Sequence, residues 1–133
     1  MSKVMVFGTF DILHPGHLSV FKQAKKYGDY LIVVVARDST VKNIGKKILY
    51  NERQRLKNIK SIKVVDLAIL GSKKDKYAVI KKYKPDVICL GYDQKFFITG
   101  LKKIHKKIIR LKPHKKHIFK SSIIRKSQAP APP

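Results

Sequence analysis

Residues 30–36 read Tyr-Leu-Ile-Val-Val-Val-Ala, an unbroken apolar run rich in β-branched side chains. A strand with one wet face alternates polar and apolar residues, and this run does not alternate. It therefore belongs to a strand covered on both faces, which is the habit of parallel sheets with helices above and below. Four more runs suit strands: residues 3–8, 66–71 (DLAILG), 86–91 (DVICLG) and 108–111. Helical patterns lie between them. Leu18, Phe21 and Ala24 fall at helical spacing within residues 16–27, and Gly28 suits the C-terminal stop. A second helix starts at Asn51 or Glu52 with Leu56 and Ile59 on one face. Residues 75–83 form a third before Pro85, residues 97–107 a weaker fourth and residues 121–126 a short last one. Residues 37–51 are polar and Lys-rich, contain Gly45, and read as a mobile loop. The expected fold is a single α/β domain over residues 1–127, with about five parallel strands, right-handed crossovers and helices on both faces. Residues 128–133 read as a disordered Pro-rich tail.

A chain of 133 residues with 44% hydrophobic residues can bury one core. No apolar run is long enough to cross a membrane, and the start Met-Ser-Lys lacks the apolar stretch of a signal peptide, so a cytoplasmic protein is expected. Cys89 is the single cysteine, which excludes an internal disulfide and a multi-Cys zinc site; its place inside a strand run makes it core. The net charge of +23 points to polyanionic partners, whether nucleic acid, anionic lipid or small phosphorylated substrates. Of the 31 basic residues only five are Arg, and the Lys residues are spread along the whole chain. Scattered Lys describes a solvated surface better than a nucleic-acid groove. Arg is the better fork for phosphate oxygens, so Arg37, Arg53, Arg55, Arg110 and Arg125 are the more informative cations.

The junction after the first strand carries the chemistry. Val4-Met5-Val6-Phe7 leads through residues 8–11 to His14-Pro15-Gly16-His17, which opens the first helix. Two imidazoles thus stand one turn apart where a strand hands over to a helix. Free backbone N–H groups and the positive end of the helix dipole make such a junction an anion site. Gly16 permits close approach of a ligand, and Pro15 suits a helix entry. Three strand runs end in Gly8, Gly71 and Gly91, so Asp11, His14 and Asp93 just beyond them converge on one crevice at the carboxyl edge of the sheet.

The stretch GTFDILHPGH (residues 8–17) resembles the signature of the nucleotidylyltransferase superfamily that carries an H-x-G-H motif. The resemblance extends over about residues 3–126 through VARDSTVK (35–42), NERQR (51–55), VVDLAILG (64–71), KPDVICLGYDQ (84–94) and KSSIIR (120–125). Within the superfamily the chain is most similar to the cytidylyltransferase-like branch and, there, to archaeal FAD synthases; glycerol-3-phosphate cytidylyltransferases are similar at a greater distance. The resemblance implies a Rossmann-like sheet and transfer of AMP from ATP to FMN, giving FAD and pyrophosphate. It further implies Mg²⁺ or another divalent cation and a homodimer. The alternative is transfer of CMP from CTP to glycerol 3-phosphate or a similar alcohol phosphate. A basic nucleic-acid-binding module would leave His14, Gly16 and His17 without a task, and no aromatic stacking pattern supports it. Lys120 occupies the first slot of the late motif, where relatives carry Ser.

Nucleotidyl transfer needs positioning and charge neutralisation rather than a protein nucleophile. No Ser-His-Asp or Cys-His arrangement is visible. The resemblance implies that His14 and His17 donate hydrogen bonds to the phosphates, with Thr9, Phe10, Pro15 and Gly16 completing the nucleotide corner. It places Lys46 (or Lys47) over the triphosphate, Gly91 and Asp93 at the base and ribose, and Ser121, Ser122 and Arg125 at the β- and γ-phosphates. Arg55, the last residue of the E-x-x-R element Glu52-Arg53-Gln54-Arg55, is expected to contact phosphate rather than form a surface ion pair. Asp11 either shapes its turn or holds a cation. His105, His114 and His117 share no coherent spacing, so no protein-held metal is expected.

Overall fold

The structure is a computed structural model that describes residues 2–43, 45, 47–73, 75, 77–90 and 107–111. Five strands form one parallel sheet: β1 (Lys3–Gly8), β2 (Tyr30–Val35), β3 (Leu67–Leu70), β4 (Val87–Leu90) and β5 (Ile108–Arg110). Their spatial order is β3-β2-β1-β4-β5. Four helices intervene: α1 (Pro15–Lys25), α2 (Asp38–Asn43), α3 (Glu52–Lys60) and α4 (Ala78–Tyr83).

Both faces of the central strands are buried, as the unbroken run requires. Val4 and Val6 of β1 join Leu31, Val33 and Val35 of β2 on one face, where Phe21 and Ala24 of α1 and Ile59 of α3 cover them. Met5 and Phe7 join Ile32 and Val34 on the other, under Val79 and Ile80 of α4. Cys89 lies in the first of these clusters, fully buried. Acidic residues fasten the opposite edge of the sheet. Asp66 accepts from the Leu31 amide at 2.7 Å and pairs with Lys25. Asp86 accepts from the Lys3 amide at 2.7 Å.

The strand order fixes where a ligand can sit. The chain runs outward from β1 through β2 to β3, then returns to the far side of β1 as β4. In sheets of this order successive crossovers diverge at that reversal, and ligands bind beyond the carboxyl ends of the two strands that flank it. Residues 9–17 leave β1 at this place.

Several sequence expectations need correction. Residues 37–51 are not a continuous loop, because α2 occupies part of them and buries Val41. The first helix ends at Lys25 with Lys26 as its cap, so Gly28 is not its stop. Gly28 serves a close approach: a Cβ there would lie 3.1 Å from the Ser2 carbonyl oxygen and 3.2 Å from the Val4 nitrogen. The third predicted helix is shorter: α4 begins at Ala78 and closes on Lys84 with φ 48° before Pro85. The helices expected over 97–107 and 121–126 lie outside the described residues, apart from Lys107.

Phe21 is fully buried between α1 and the sheet. Phe21→Ala is expected to lower the unfolding free energy by about 3–5 kcal/mol, through lost transfer energy and the cavity left behind. Urea titration checks this, and a loss below about 1 kcal/mol would contradict the packing described.

Candidate functional site

The two histidines cap α1 reciprocally. His14 is the N-cap, with extended backbone, and its Nδ1 accepts from the Gly16 amide at 3.0 Å. His17, three residues on, returns the contact: its Nδ1 accepts from the His14 amide at 3.4 Å. This is a capping box in which imidazoles replace the usual hydroxyl and carboxylate. A neutral imidazole that accepts at Nδ1 carries its proton on Nε2. Each ring therefore has its donor at Nε2, the atom suited to a phosphate oxygen. The rings stack with centroids 4.0 Å apart and 28° between planes. Pro15 at the first helical position has no N–H to lose.

Phe10 supports this pair from below. Its buried ring meets His17 edge-on at 5.5 Å and Phe21 at 5.3 Å. Gly8 makes room: a Cβ there would lie 2.5 Å from the tip of the Phe10 ring. Burial of the ring, and secondarily the charge of His14, pushes His17 from 6.5 down to about 4. Near neutral pH His17 is thus an uncharged donor, and a phosphate beside it would raise its proton affinity.

Behind the turn lies a network that the sequence did not reveal. Arg55 is fully buried. Its Nη1 donates to the carbonyl oxygens of Thr9 at 2.9 Å and Ala36 at 2.8 Å, its Nε to that of Tyr50 at 3.1 Å, and its Nη2 to Asp38 at 2.7 Å. The expected phosphate contact of Arg55 is corrected by this placement, and so is a surface ion pair: the guanidinium faces protein carbonyls. Glu52 accepts from the Asp38 amide at 2.9 Å and from Arg37 at 3.0 Å, while Arg37 also donates to the Gly71 carbonyl at 2.7 Å. Desolvation acts to raise the Asp38 carboxyl, yet the hydrogen bond and charge of Arg55 hold it below its usual value. The Asp38 amide and Arg37 hold Glu52 low as well, against desolvation.

Asp11 shapes the turn. One carboxylate oxygen accepts from the Leu49 amide at 2.7 Å, the other from the Tyr50 amide at 2.8 Å. The carboxylate thus ties the turn after β1 to the segment before α3. Among the described residues no group of three or more His, Cys, Asp and Glu gathers to hold a metal ion.

The structure thus brings Thr9, Phe10, His14, Pro15, Gly16 and His17 together at the carboxyl end of β1, with Arg55 behind them. Lys47 is exposed before α3. Lys46, Gly91, Asp93, Ser121, Ser122 and Arg125 lie outside the described residues. Sequence reasoning missed Arg37, Asp38 and Glu52 as a connected group. One signal for Arg55 was present: it precedes the core residue Ile59 by four positions and so shares its buried helix face.

A family model described as cytidylyltransferase-like matches residues 5–127. A protein of Thermoplasma volcanium named FAD synthase is 48% identical, over 95% of this chain and 93% of its own length. One of Methanohalophilus mahii, also named FAD synthase, is 48% identical over 86% of this chain and 84% of its own. A crystal structure from Thermoplasma volcanium superposes with a TM-score of 0.80 at 48% identity, covering 86% of this chain and 98% of that one. It is described as a lipopolysaccharide core biosynthesis protein.

Imidazole NMR of the free protein should show His17 titrating near 4, and a value near 6.5 would contradict its placement. The consequence for stability has a definite sign. The unfolded chain takes up the proton first, so this contribution is complete above pH 6.5 and is lost as pH falls toward 4.

Proposed function

Because the chain belongs to the cytidylyltransferase-like family, we propose that it transfers AMP from ATP to FMN, giving FAD and pyrophosphate. The observation that carries this reading is the reciprocally capped pair His14 and His17, with Nε2 donors at the mouth of the β1–α1 turn. A terminal phosphate oxygen of FMN attacks the α-phosphorus in line. The new P–O bond forms as the bond from the α-phosphorus to the α,β-bridging oxygen breaks, and that oxygen leaves as a terminal oxygen of pyrophosphate. His17 and His14 donate to phosphate oxygens as negative charge grows on the leaving group, and the helix N-terminus adds its dipole. The divalent cation belongs to the substrate as the Mg²⁺ complex of the triphosphate, consistent with Mg²⁺ binding chiefly through phosphates and water.

The acceptor follows from two supports. Two relatives, 48% identical over 95% and 86% of this chain, are named FAD synthases. Ile12 (58% exposed), Leu49 (69%) and Tyr50 (39%) also lie on the two segments that Asp11 ties together beside the corner. Exposed apolar groups there suit a flat flavin ring, whereas glycerol phosphate has no apolar body to cover them. By family resemblance alone, the proposal extends to Lys46 over the triphosphate, Gly91 and Asp93 at the adenosine, and Ser121, Ser122 and Arg125 at the β- and γ-phosphates. It likewise extends to a cytoplasmic homodimer. Among the described residues no helix is long and apolar enough to cross a membrane.

The test is incubation with Mg²⁺, FMN and either ATP or CTP, with separation of flavin products and release of pyrophosphate as readouts. FAD formed only with ATP is the expected result. Turnover of CTP with glycerol 3-phosphate and no FAD would overturn the reading. His17→Ala should lower kcat by about 10²–10³-fold, the usual loss for a donor at developing charge, with little change in KM for ATP. Near-normal kcat would contradict its role.

A further inference from the structure

We infer that Arg55 is a positioning residue: it aims the Phe10 amide at the phosphates without touching them. The inference rests on a nucleotide occupying the His14–His17 corner.

The Thr9 carbonyl accepts from the buried Arg55 guanidinium at 2.9 Å, and the described chain has no cis peptide. In a trans peptide the C=O and the following N–H point in opposite directions. The Thr9 carbonyl faces the interior, so the Phe10 N–H faces away from it, toward the crevice. Phe10 itself has φ 53°, a conformation that a bulky residue rarely adopts. Such a backbone persists only where its surroundings determine it from several sides. Here the ring is trapped against Gly8, His17 and Phe21, and the preceding carbonyl is held by Arg55.

Arg55 has little left to offer a ligand. Four acceptors engage its guanidinium: the carbonyls of Thr9, Ala36 and Tyr50, and the Asp38 carboxylate. Its side chain has no exposed surface. These acceptors lie on separate segments, and only a planar fork with five donors can reach them together; a Lys ammonium is a point charge and cannot. Arg55 therefore acts through the Thr9–Phe10 peptide.

The test uses the full chain, ¹⁵N-labelled, with Mg²⁺ and α,β-methylene-ATP as probe. In the wild type the Phe10 amide should move downfield together with changes at the His14 and His17 rings. In Arg55→Lys the histidine changes should persist while the Phe10 shift is lost, and kcat should fall roughly 10–100-fold at nearly constant KM for ATP. Gly8→Ala is the second variant; it keeps Arg55 but places a Cβ 2.5 Å from the Phe10 ring, and it should lose the same shift. It and the wild type decide the matter if Arg55→Lys does not fold. Histidines that respond while wild-type Phe10 stays silent would overturn the inference, as would a Phe10 shift retained in either variant. A rise in KM for ATP matching the loss in Arg55→Lys would mean direct contact and also overturn it. If neither the histidines nor Phe10 respond in the wild type, the nucleotide site itself fails, and this inference with it.

Discussion

A guanidinium removed from water must find hydrogen bonds where it is buried, or its charge is very costly. Arg55 finds four, and each reaches a different segment: the end of β1 at Thr9, the end of β2 at Ala36, the start of α2 at Asp38 and the approach to α3 at Tyr50. Arg37 and Glu52 extend the web to Gly71, just past β3. The carboxyl edge of the sheet is therefore joined by directed polar contacts, in addition to the apolar layers that hold its middle. The depressed carboxyls of Asp38 and Glu52 follow from the same web. Both stay ionised well into the acid range, so the Arg55–Asp38 and Arg37–Glu52 contacts keep their charge-assisted character wherever the protein is folded near neutrality.

The site in front of this web is built differently. The polar scaffold behind is saturated, whereas the corner turns two imidazoles outward at the positive end of a helix. Reciprocal capping fixes both imidazoles by their Nδ1 atoms and leaves their chemistry to Nε2. Phe10 links the two regions, since its ring carries His17 while its peptide is gripped from behind. A site for a highly charged ligand gains from neutral, preorganised donors, because they need no reorganisation as charge moves during the reaction.

Legibility in the sequence followed the range of the interactions. The unbroken run of β2 and the apolar spacing in α1 and α3 are local patterns, and they placed the sheet and those two helices, though not every helix end. The helix entry at Pro15 was legible for the same reason, because capping is settled within four residues. α2 was not, since five of its six residues are polar and a single Val41 sets no periodic pattern. Its first residue, Asp38, is anchored by Arg55, 17 positions away. The role of Asp11 was likewise undecidable locally, because its partners are 38 and 39 residues distant. Arg55 misled for a subtler reason. A basic residue in a phosphate-binding family invites a ligand contact, yet its spacing from Ile59 already set it on the buried face of α3.

The proposed seat of the nucleoside triphosphate is the corner where β1 hands over to α1, with His14 and His17 as its donors. A crystal structure with Mg²⁺ and α,β-methylene-ATP tests it most directly. Phosphate oxygens are expected within hydrogen-bonding distance of Nε2 on both His14 and His17. Clear density for the nucleotide elsewhere, with both imidazoles turned from it, would contradict the account.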